Sequence, residues 1–83
     1  LLPDTAFQIY WLDEQGHYRY DSNGNPKLVT MTDTVNGHLT KDVDTFHTNS
    51  EGILTLPEKL PLGKYRIVEV TGPNARTTIP ASS

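Results

Sequence analysis

Glu69 is the side chain with the most chemical promise. It lies in Lys64-Tyr65-Arg66-Ile67-Val68-Glu69-Val70, where alternation puts Tyr65, Ile67 and Glu69 on one face of a pleated strand and Lys64, Arg66 and Val68 on the other. A carboxylate in line with two large apolar groups has two readings. It turns to solvent near the strand end, as most acids do, or it is a buried carboxyl available for proton transfer. Other groupings are weaker. Asp21, Asn23 and Asn25 put oxygen-bearing side chains at alternate positions, as the start of a calcium loop does. Pro26, however, stands where that loop needs glycine, and Thr32 where it needs a bidentate glutamate. A hairpin turn accounts for the stretch better. His17, His38 and His47 lack metal-ligand spacing and the chain has no cysteine to complete a site, so no metal or other cofactor is expected.

None of Ser22, Ser50, Ser82 and Ser83 sits in a nucleophile elbow, and no enzymatic activity is expected. Leu2-Pro3-Asp4-Thr5-Ala6 is similar to a sortase substrate motif. Such a signal acts ahead of a membrane segment and a basic tail, and neither follows here, so a lead-in turn is the simpler reading. Tyr10, Trp11, Tyr18, Tyr20 and Tyr65 suggest a sugar-stacking platform, because flat rings pack on apolar sugar faces. Alternation sends Tyr10 and Trp11 to opposite faces, which scatters the rings.

The elements that must hold these groups form one small domain over residues 1–83, near the size where burial only just offsets chain entropy. Without cysteine no disulfide helps. Seven basic against ten acidic side chains, with no basic run, argue against nucleic acid as a partner. No apolar run is long enough to cross a membrane, and no signal peptide, lipidation motif or basic tail is visible, so membrane contact is not expected and any targeting signal is expected outside this chain.

Ala6 to Leu12 reads as the first strand, with Phe7, Ile9 and Trp11 on its core face and Gln8 and Tyr10 opposite. A turn at Asp13 to Gly16 leads to a short strand around His17 to Tyr20. Asp21 to Pro26, with Asn23-Gly24 supplying positive backbone angles, is the strongest hairpin signal, and Lys27 to Thr32 returns as a strand. Asp33 to Asp44 is polar and turns at Asn36-Gly37 between exposed edge strands. Thr45 to Thr48 is a short strand with Phe46 inward. A turn at Asn49 to Gly52 precedes Ile53 to Leu56, where Leu54 and Leu56 share a face. Pro61 and Gly63 turn the chain into the Lys64 strand, and Thr77-Thr78-Ile79 is a short last strand or part of a tail. Nothing holds helical periodicity over three turns, so the fold class is an all-β, antiparallel sandwich.

Gly52-Ile53-Leu54-Thr55-Leu56, then Leu60-Pro61-Leu62-Gly63-Lys64-Tyr65-Arg66-Ile67-Val68-Glu69, then Gly72-Pro73 resembles the CnaB-type, or SpaA-type, prealbumin-like domain of Gram-positive surface adhesins and pilins. Thr5-Ala6-Phe7-Gln8-Ile9-Tyr10 is similar to that family's early strand. The resemblance implies an extracellular, cell-wall-associated module, with neighbouring domains of the same surface protein as partners and a host or glycan ligand as a further one. It also implies a spontaneous Lys to Asn or Asp isopeptide bond. Glu69 would be its proton relay, in a core of Phe7, Ile9, Tyr65 and Ile67. An apolar pocket would keep the lysine amine nucleophilic, while the glutamate hydrogen-bonds the group under attack.

The family's lysine lies in a strand before the Leu2-Pro3 region and its Asn or Asp in a strand after Gly72-Pro73. Lys27, Lys41, Lys59 and Lys64 read as solvated, and Asn74 falls in what should be loop, so the reacting pair is not evident. Three functions remain: a stalk or spacer of an adhesin or pilin; a glycan- or protein-binding module using the tyrosines and the Asp33 to Asp44 stretch; and a split domain that keeps Glu69 and ligates strands supplied by partners. Outer strands missing at both ends would leave sheet edges open to a strand-swapped dimer or a partner's strand.

Overall fold

Phe7, Ile9 and Trp11 at alternate positions make β1 (Ala6–Leu12) the spine of the protein. In the computed structural model, which describes residues 4–70, it is followed by β2 (Met31–Val35), β3 (His38–Val43), β4 (Phe46–His47) and β5 (Lys64–Val70). There is no helix among the described residues. Two antiparallel sheets result, one in the order β4-β1-β5 and one of β2 with β3, in agreement with the all-β reading.

One edge of β1 is zipped along its whole length to β5, from Ala6 opposite Val70 to Leu12 opposite Lys64. The other edge is shared. Its first residues pair with β4, and further along the Val29 N–H donates to the Ile9 carbonyl at 2.7 Å and the Trp11 N–H to that of Lys27 at 3.0 Å. This doubled edge brings Val29, Met31 and Phe46 around Ile9, which is wholly enclosed. Trp11, Val43, Leu54, Leu56, Leu60 and Tyr65 close the core. Met31 of β2 and Val43 of β3 face each other in the second sheet and both enter this core, so the base of the β2–β3 hairpin packs on the first sheet while its far end, with Val35 and Leu39, stands in solvent. Asn36 and Gly37 form that far turn with φ of 51° and 78°, the pair of positive angles that matches the twist of the flanking strands.

Three other turns share one construction. In Asp13 to His17, Asp21 to Asn25 and Asn49 to Ile53, the first residue's Oδ1 accepts two backbone N–H bonds, from positions two and four residues on, at 2.8–3.0 Å. In each, the fourth residue is a glycine whose N–H donates to the first residue's carbonyl, and the first residue's own N–H closes the turn on the fifth carbonyl. Gly24 shows why glycine is needed, with φ of 81°. The Asx-x-x-Gly spacing behind this repeat is plain in the sequence once its mechanism is known.

The Asp13 turn is sensitive to acid. Its carboxyl is held below the ordinary aspartate range, mainly by the His17 N–H, against partial burial, with smaller help from the Gln15 N–H and from His17 and Arg19 charge. A carboxyl lowered on folding stabilises the native state above its unfolded pKa, and that contribution fades as pH falls through the folded value. Asp13→Asn should therefore lower stability at neutral pH and converge with wild type in acid, flattening the acid limb of a stability-versus-pH curve. An acid limb identical to wild type would remove Asp13 from the account.

Four local readings need correcting. His17 to Tyr20 is no strand: only Tyr18 and Tyr20 make isolated bridges, to Leu12 and Pro26, because the turns on either side leave no room for a ladder. The return strand begins at Met31, since Lys27 to Val29 bonds to β1 in isolated fashion. Asn23 does not take a positive angle, as the Asp21 side chain sets a different turn from the one Asn-Gly alone suggests. Ile67, expected in the core, is 44% exposed. It lies opposite Ile9 on the inner face, but β5 is the outermost strand of its sheet and nothing among the described residues covers it there. The Thr77-Thr78-Ile79 reading and Leu1 to Pro3 lie outside the described residues.

Candidate functional site

The pairing of β1 with both neighbours lines up a row across the inner face: Phe46 on β4, Phe7 on β1, Glu69 on β5. Phe46 and Phe7 are buried, at 4% and 5% exposure, and Glu69 is half-buried at the outer end of the row. The next rows are Ile9 with Ile67 and Trp11 with Tyr65. Strand alternation is what places the carboxyl here: a one-residue slip of β5 would send it to the outer face and turn Lys64 and Arg66 inward. Glu69 thus has an aromatic wall on one flank and, among the described residues, no further strand on the other.

Of the residues expected around it, Phe7 and Ile9 are buried and Tyr65 is half-buried. The Tyr65 ring lies tilted against Trp11, with centroids 5.0 Å apart, and its hydroxyl donates to the Pro61 carbonyl. That bond ties the turn before β5 to the strand it launches. Ile67 completes the surroundings from an exposed position. Phe46, whose place beside Phe7 was not legible because β4 is only two residues long, belongs to this row as well.

None of the chain's four lysines is turned into this interior; Lys27, Lys41, Lys59 and Lys64 are all exposed. Lys64 donates through Nζ to the Glu14 carbonyl at 2.7 Å, and Lys27 stands 5.8 Å from the centre of the Trp11 ring. Asn23, Asn25, Asn36 and Asn49 are exposed too. The described residues therefore bring the glutamate and its wall together but not a lysine and an amide to react there.

The remaining candidates are dispersed. Asp21 Oδ1 is engaged by the Asn23 and Asn25 N–H groups, so the resemblance to a calcium loop comes from the turn itself. Among the described residues no group of three or more His, Cys, Asp or Glu side chains converges as metal ligands would. His47 Nδ1 is 3.7 Å from Asp4 Oδ1 at an exposed site. Tyr10 and Tyr18 meet edge to face with centroids 5.3 Å apart, and Arg66 stands over Tyr18 at 5.6 Å, so these rings spend their surface on one another. Tyr20, 60% exposed, is left to offer an open ring. Among the described residues no helix is long and apolar enough to cross a membrane.

A family model described as the SpaA prealbumin-like fold domain matches residues 1–80. No curated protein and no solved structure matches the chain.

Proposed function

The chain belongs to the SpaA prealbumin-like fold domain family, and from that premise we propose that it is a structural module, a stalk or spacer of a bacterial cell-surface adhesin or pilin. The observation that carries the reading is the row Phe46, Phe7, Glu69, in which a half-buried acid is fixed by strand register against an aromatic wall. A lone glutamate on an inner face contributes little to a core. It makes sense as a group kept for chemistry, and the chemistry that fits is autocatalytic amide formation rather than turnover of a substrate. In that scheme a lysine amine attacks a side-chain amide or acid, and the Glu69 carboxyl donates a hydrogen bond to the group under attack and passes the proton to the leaving group. The lysine would be supplied from outside these 83 residues, such as by a neighbouring domain of the same surface protein, and its Asn or Asp partner from the same source or from Asn74.

An extracellular location follows from this reading and is directly testable. Brief protease treatment of intact cells of the source organism should release peptides from the exposed Asn36-Gly37 turn and the Leu62 turn. Recovery of those peptides only after lysis would overturn the surface assignment.

A further inference from the structure

The sequence holds two Asn-Gly dipeptides, Asn23-Gly24 and Asn36-Gly37, and the fold treats their backbone amides differently. In any Asn-Gly pair the glycine nitrogen can attack the asparagine side-chain carbonyl, since no Cβ obstructs its approach. At the first pair that nitrogen is engaged: the Gly24 N–H donates to the Asp21 carbonyl at 3.0 Å, and the Asn23 N–H is held by Asp21 Oδ1 at 2.9 Å. At the second pair the Gly37 N–H makes no backbone hydrogen bond among the described residues. The turn also crowns a hairpin whose last residues, Thr34, Val35, His38 and Leu39, are all exposed, so no core packing resists its opening.

We propose that Asn36 is a site of spontaneous covalent modification, selected over Asn23 by the fold. Water or hydroxide removes the Gly37 amide proton, and the nitrogen attacks Asn36 Cγ. The bond from Cγ to the side-chain nitrogen then breaks, and that nitrogen leaves with a proton as ammonia. The five-membered imide that results is opened by one water molecule at either carbonyl, giving aspartate or isoaspartate at position 36. The α-L geometry of Asn36, φ 51°, must relax for the nitrogen to reach Cγ, and the solvent-exposed tip permits that. One negative charge is added to a chain of net charge −3. The isoaspartate product also lengthens the main chain by a methylene inside a two-residue turn, which breaks the pairing of Val35 with His38.

The test is to age the full chain at mildly alkaline pH, native and in concentrated urea, and to follow the peptides carrying Asn23 and Asn36 by mass spectrometry. In the native chain the Asn36 peptide should exchange ammonia for water at least about tenfold faster than the Asn23 peptide, and in urea the two rates should converge because the local sequence chemistry is the same. A native ratio no different from that in urea overturns the proposal, as does a native chain unconverted at Asn36 while the denatured chain converts at both.

Discussion

Ile9→Ala is expected to cost about 3 kcal/mol, the middle of the range for emptying a fully enclosed aliphatic site. Ile9 has no exposed surface, and Val29 and Met31 from one stretch and Phe46 from another pack around it. They are held by β1 and its two edge partners, so they cannot collapse into the hole without disturbing the Val29 to Ile9 and Trp11 to Lys27 bonds. A domain this small has little stability to spare, on the order of 5 kcal/mol. The measurement is urea unfolding followed by fluorescence of Trp11, the only tryptophan, which packs on Tyr65. With a slope of about 1.5 kcal/mol per molar urea, the midpoint should fall by about 2 M. Leu62→Ala is the control: Leu62 is fully exposed, and its loss should stay within about 0.5 kcal/mol. Equal midpoints for the two variants would mean that the core has been misplaced.

Glu69→Gln should leave the fold almost unchanged and remove the proposed amide-forming chemistry. Glutamine is nearly isosteric and keeps the hydrogen-bonding shape of the carboxyl, but it cannot pass a proton. Removing a general acid of this kind typically slows a reaction by about 10²–10⁴-fold. Because Lys27, Lys41, Lys59 and Lys64 are all exposed, the chain alone should keep its full mass. Mixed with peptides carrying the family's lysine and asparagine strands, wild type should give a joined product lighter than its parts by one ammonia, about 17 Da by the stoichiometry of amide formation. The Glu69→Gln variant should give little or none on the same timescale while unfolding at the same urea concentration. Undiminished product would show that Glu69 is no relay and that its half-buried place in the row beside Phe7 needs another explanation.

The alternation that places Phe7, Ile9, Trp11, Tyr65 and Glu69 on one inner face is legible from residue order, because a pleated strand has a fixed period. So is the Asn36-Gly37 turn, whose residue types demand positive angles. Ile67 was not, for alternation assigns a face but does not say what covers it, and on an outermost strand the answer depends on the rest of the sheet. The short pairing of β4 was equally hidden. Phe46 reads as inward, but only the fold sets it opposite Phe7, since two residues carry no period. The turn at Asp21 departs from the angles that Asn23-Gly24 alone suggests, because the controlling residue is the aspartate two positions earlier, which takes two N–H groups. Residue types place turns at Asp13 and Asn49 as well; the shared spacing adds the reason why all three have the same hydrogen bonds.

The full-length zipping of β1 to β5 has a mechanical corollary. Ala6 sits opposite Val70, so among the described residues β1 begins and β5 ends at the same end of the three-stranded sheet. Tension applied between those points loads the ladder one rung at a time, peeling it like a zip instead of shearing all rungs together. Each rung is worth only about 1 kcal/mol net. In the proposed stalk role, a covalent shortcut between the segments flanking these strands would divert the pull around this ladder.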